Sequence, residues 1–81
     1  MGERWSRAEQ RRLVAEAVGE VKAAFPGMVV SALVLSAKPD GQYVGPYYAL
    51  AATDPYDDDI VEGAIMDFPR ELWLMAKDMG Y

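Results

Sequence analysis

The sequence predicts a small α+β domain: helix, strand, strand, helix, helix, with a β-hairpin packed on the helices. Three observations carry that expectation. A capped segment with apolar residues at helical spacing occupies residues 6–25, a β-branched run follows at residues 28–35, and a proline and a glycine bracket a second apolar stripe at residues 69–80. With 81 residues the chain makes one domain, residues 1–81, and a chain this short buries only about 60% of the surface its unfolded form exposes.

The first helix has the clearest signals. Ser6 with Glu9 three residues on forms a capping box, in which side chains satisfy backbone donors that the first turn leaves orphaned. Leu13, Val14, Ala17, Val18, Val21, Ala24 and Phe25 recur on one face, while Arg12, Glu16 and Glu20 fall outside it. Pro26-Gly27 stops the helix, and Gly19 weakens it by about 1 kcal/mol relative to alanine.

Residues 28–35 read as a strand, with apolar side chains at both parities and therefore cover expected on both faces. Lys38-Pro39-Asp40-Gly41 is a turn, in which proline fixes its φ and glycine takes a positive one. The chain returns through Gln42-Tyr43-Val44, and Pro46, which lacks a backbone donor, marks an edge, a bulge or the start of the main second strand at Tyr47.

Asp54-Pro55 followed by Asp57, Asp58 and Asp59 predicts a helix start: a cap, a proline at the first position and carboxylates at the positive end of the dipole. The reading is a short helix through residue 68; a third strand over residues 60–68 is the competing reading, since Gly63 does little for a helix. Pro69 opens the last helix and Gly80 closes it. Its buried stripe is Leu72, Met75, Ala76 and Met79, widened by Trp73 and Leu74.

A lone two-stranded hairpin is marginal in water, and an open strand edge invites pairing with another chain. The sequence therefore also predicts sheet extension by a homodimer or a complex. In its order of helix, Pro-Gly turn, strand, Asp-Gly turn and strand, about half the chain resembles roadblock-type and longin-type dimerisation modules.

Composition narrows the function. Cysteine and histidine are both absent, which removes the usual thiol nucleophile and the usual general base at neutral pH. The three serines, Ser6, Ser31 and Ser36, sit in no nucleophile elbow, and the glycines form no phosphate-binding loop. The expectation is a protein that is not an enzyme and carries no cofactor. Asp57-Asp58-Asp59 lacks the alternating ligand spacing of a calcium loop, so no metal site is expected either. The N-terminus lacks the apolar stretch of a secretion signal, and residues 28–35 are too few to span a bilayer, so the expected location is the cytoplasm, without membrane contact.

The net charge of −5 is unevenly distributed. Residues 1–27 carry five basic and four acidic side chains, whereas residues 28–81 carry three basic and nine acidic ones. Direct nucleic-acid binding needs clustered Lys and Arg and is therefore not expected; a protein with a basic surface is the expected partner. The candidate binding residues are Tyr47, Tyr48, Asp54, Tyr56, Asp57, Asp58, Asp59 and Glu62: carboxylates in a row can occupy the site of a nucleic-acid backbone, and tyrosine supplies contact area with a polar tip. The bland alternatives are a solvated charged face and tyrosines packed on the helices. In size and charge the chain is similar to small acidic phage-encoded inhibitors of host nucleic-acid machinery, anti-CRISPR proteins among them. That likeness implies an inhibitor or adaptor; the alternative is a homodimerisation module using an open strand edge.

Overall fold

A computed structural model describes residues 5–36, 41, 46–56 and 60–81, with residues 60–65 described by their backbone. Five elements follow in order: α1 (Arg7–Ala24), β1 (Val29–Leu35), β2 (Tyr47–Thr53), β3 (Ile60–Asp67) and α2 (Arg70–Asp78). The strands form one antiparallel sheet in the order β1-β2-β3. The α+β class and the hairpin packed on helices stand as the sequence predicts.

The short helix expected after Asp54 is instead β3, the strand that was the competing reading of residues 60–68. The local signal is ambiguous for a physical reason: an aspartate that accepts from the backbone N–H two residues on can open a helix or close a turn. Asp54 Oδ1 does accept from Tyr56 N, at 2.8 Å, but the chain turns back along β2. What decides the outcome is non-local. A hairpin alone would leave the second edge of β2 unpaired, and β3 satisfies it in the register Ala49↔Asp67, Leu50↔Met66 and Ala51↔Ile65. The register shifts between Ala51 and Thr53, and Gly63 falls in the corresponding stretch of β3, where glycine suits a bulge.

Both helices lie on one face of the sheet. Val14, Ala17, Val18 and Val21 of α1 meet Leu72, Met75 and Ala76 of α2 over Val30, Ala32, Leu50 and Ala52 of the strands, with Phe68 joining them. Within the two predicted stripes, Ala24, Leu74 and Met79 prove exposed, because the packed face of each helix is narrower than the apolar spacing suggests. Gln10, by contrast, is buried, and its Nε2 donates to the carbonyl of Trp5, which itself packs against the core.

The expectation that β1 is covered on both faces is met only in part: Ser31, Leu33 and Leu35, on the face away from the helices, are half-buried. Only Val30 and Ala32 of β1 are buried, while Val29 and Val34 are about half exposed. An edge strand lacks the neighbour that would shield its flank, so apolar side chains at both parities do not guarantee burial. Tyr47 begins β2 directly after Pro46, as the missing donor of proline requires, and Gly41 takes the positive φ expected of it, 86°; Lys38-Pro39-Asp40, read as the rest of its turn, and residues 42–44, read as part of the returning strand, lie outside the described residues.

The ends of the helices follow their capping chemistry. Ser6 Oγ accepts from Glu9 N at 3.2 Å, and α1 stops before Pro26-Gly27. At the end of α2, Gly80 N donates to Lys77 O (3.1 Å) and Tyr81 N donates to Ala76 O (2.9 Å), the paired bonds of a Schellman turn. Gly80 adopts φ 99°, which strains any residue with a Cβ. The turn brings Tyr81 O to the edge of β1, where it accepts from Ala32 N at 3.0 Å. Gly80→Ala is expected to cost about 1 kcal/mol in urea unfolding and to speed hydrogen exchange at the Ala32 amide; unchanged exchange there would mean that the turn does not hold Tyr81 in place. No helix among the described residues is long and apolar enough to cross a membrane.

Candidate functional site

The acidic segment is organised around the turn that leaves β2. Thr53 Oγ1 donates to Val29 O at 3.2 Å, fixing the end of the strand to its neighbour. Asp54, half-buried, folds its carboxylate back onto Tyr56 N, and this directs the Tyr56 side chain outward, where it is 93% exposed. Glu62 lies in β3 just beyond the turn. Asp57, Asp58 and Asp59 lie outside the described residues. Among the described residues, no cluster of three acidic side chains could hold a metal ion.

The two candidate tyrosines of β2 stand at the other end of that strand. From Tyr47 to Thr53 the strand runs about 20 Å, at about 3.3 Å per residue. Being adjacent on a strand, Tyr47 and Tyr48 also point to opposite faces. Tyr47 is buried opposite Leu35, on the face away from the helices. Tyr48 faces α2: its ring meets Trp73 edge-to-face at 5.1 Å, and its hydroxyl accepts from Arg70 Nε at 3.3 Å. The structure thus groups Asp54 and Tyr56 near Glu62 at one end of the sheet and places Tyr47 and Tyr48 at the far end.

That far end holds a cluster that the sequence reading did not single out. Arg70 lies 5.8 Å from the Tyr48 ring centroid, and Lys77 Nζ lies 6.0 Å from the Trp73 ring centroid. Trp73 Nε1 donates to Leu33 O at 3.0 Å, which locks the indole in place. The spacing of Arg70, Trp73 and Lys77, three and then four residues apart, puts them on one helix flank and could have been read from the sequence; their meeting with Tyr48 across the sheet could not.

Between α1 and α2 lies a groove of about 260 Å³, lined by Arg7, Gln10, Glu71, Leu74, Met75 and Asp78. An exposed ion pair, Arg7 to Asp78 at 3.2 Å, joins its sides. On the outer face of α1, Arg12 pairs with Glu9 and Glu16. Such exposed pairs contribute at most about 1 kcal/mol and orient side chains more than they stabilise the fold.

Comparison with protein-family models, with curated protein sequences and with solved structures finds no match. Among the described residues, fold and geometry define a three-stranded antiparallel meander with two helices on one face, the Asp54–Tyr56 turn at one end of the sheet and a cation–aromatic cluster at the other.

Proposed function

We propose that the protein is a non-enzymatic inhibitor or adaptor that docks its acidic segment, residues 54–62, on a basic surface of another protein. The observation that carries this reading is Tyr56: a large aromatic side chain, 93% exposed, on a turn braced by Asp54 and followed directly by three aspartates. An aromatic anchor amid carboxylates suits a basic groove. The ring fills a pocket, and the regular negative charge takes the place of a phosphate backbone. A host protein that itself binds nucleic acid is the partner of this kind with the best-matched charge, which is the mode of an anti-CRISPR-like phage inhibitor. The protein then works in the cytoplasm, without direct contact to nucleic acid or membrane.

The test is affinity capture from a nuclease-treated lysate at low and at moderate salt. The expected result is a basic nucleic-acid-binding protein or complex that is recovered at low salt and lost at moderate salt. A partner that resists salt would overturn the docking mode.

One observation favours a second reading, a homodimerisation module. β1 is an edge strand of seven residues without charge or proline, and the edge of β3 away from β2 pairs with no described strand. Apart from the Ala32 N–H, which Tyr81 O takes, the edge of β1 is open to association. Sedimentation at tens of micromolar separates the readings, because a dimer that persists in salt belongs to the strand edge and a monomer to the acidic segment.

A further inference from the structure

We propose that the flank of α2 carrying Arg70, Trp73 and Lys77, together with Tyr48 and Val34, is a second docking surface, and that it takes an extended acidic segment of a partner protein. α2 sorts its charges by side. Glu71 and Asp78, seven residues apart, line the groove toward α1, where Asp78 is paired with Arg7. Arg70 and Lys77, also seven apart, lie on the other flank, and neither has a carboxylate partner among the described residues. In a chain with 13 acidic and 8 basic side chains, two cations left without counter-charges on one flank form a local surface of opposite sign to the whole.

Each cation is held by an aromatic ring instead. A cation over a ring is positioned without being neutralised, so its charge remains available to an incoming carboxylate. Arg70 uses Nε on the Tyr48 hydroxyl, and its other guanidinium N–H groups make no hydrogen bond among the described residues. The floor between the cations is rigid: Trp73 is fixed by Leu33 O and abuts Tyr48, so binding orders few side chains.

The surface fits a polypeptide in extended form. Val34 is the cross-strand partner of Tyr48 and is 49% exposed, which adds an apolar contact beside the aromatic floor. Ala32 turns its N–H outward, away from β2, to Tyr81 O; alternation along the strand puts the N–H and C=O of Val34 on the same outer edge. An extended segment beside Val34 gains main-chain hydrogen bonds with its N–H and C=O, the Ala32 N–H being already taken by Tyr81 O. Arg70 and Lys77 lie about 10 Å apart along the helix axis, a span that carboxylates two to four residues apart in an extended chain can reach.

The probe is a synthetic peptide of four Glu-Val repeats, titrated into the whole labelled protein and followed by NMR. Saturable shifts are expected at the Val34 and Tyr48 amides, the Trp73 indole and the α2 flank. The double variant Arg70→Glu, Lys77→Glu is expected to weaken binding by about tenfold or more while keeping a cooperative unfolding transition at a somewhat lower temperature, since it loses two exposed cation–aromatic contacts but no buried side chain. A peptide of Lys-Val repeats is expected not to bind. Absence of saturable shifts, shifts centred elsewhere, or equal binding by the double variant would overturn the proposal. Tighter binding of an oligouridylate would assign the surface to nucleic acid, and self-association abolished by the double variant would assign it to a second copy; either overturns the partner named here. The acidic segment takes no part in these measurements, so their outcome is independent of the function proposed above.

Discussion

Leu50→Ala is expected to destabilise the fold by about 3 kcal/mol, within the range of about 2–5 kcal/mol for removing a buried leucine. Leu50 is fully buried at the centre of β2, the middle strand, with Ala32 and Met66 as its cross-strand partners and the helices above. Its neighbours on the same face, Ala32 and Ala52, are too small to fill the cavity, which leaves Met66 and Met75 as the flexible side chains that could relax into part of it. For a chain of 81 residues, a total stability of roughly 4–12 kcal/mol follows from about 0.05–0.15 kcal/mol per residue, so one methyl-rich side chain carries a large share of it. The check is urea unfolding of both proteins with equal slopes. A loss below about 1 kcal/mol would mean that the site collapses around the cavity and that the core is less tightly specified than its burial suggests.

The second large effect concerns binding. Replacing Asp57, Asp58 and Asp59 together by asparagine is expected to weaken the basic partner's affinity by about a hundredfold, the size expected when several complementary charges at one contact are lost. Folding should be unaffected or slightly improved, since the change removes like-charge repulsion from a chain of net charge −5. Tyr56→Ala is expected to act on the same contact through packing, and so to weaken binding at every salt concentration. Full affinity in the triple variant, measured by calorimetry beside an unchanged melting curve, would remove the aspartates from the interface.

The sequence was most readable where chemistry is local. Ser6, Pro26-Gly27, Pro46, Pro69 and Gly80 each act within a few residues of themselves, and each marks an element boundary where its physical chemistry requires. It was least readable where the decision is made across the chain. Asp54-Pro55 carries the chemistry of a helix start, yet the unpaired edge of β2 recruits the next residues as β3, and no local pattern records that demand. The candidate site shows the same division. Tyr48 and Tyr56 are eight positions apart, close enough to read as one cluster, but an extended strand sets them at opposite ends of the sheet. Tyr48 is instead a near neighbour of Arg70 and Trp73, more than twenty positions away. Side chains that meet where a helix crosses the face of a sheet become visible only once the packing is known.

Docking of the acidic segment by charge is tested most directly by the salt dependence of partner binding. With the captured partner purified, affinity is measured for the natural sequence and for the triple asparagine variant at about 0.05 M and about 0.2 M salt, a range over which screening of exposed charges changes strongly. A steep loss of affinity is expected for the natural sequence and a shallow one for the variant, the two converging as salt rises. Equal slopes for the two proteins would contradict docking by charge and move the interaction to the uncharged edge of β1.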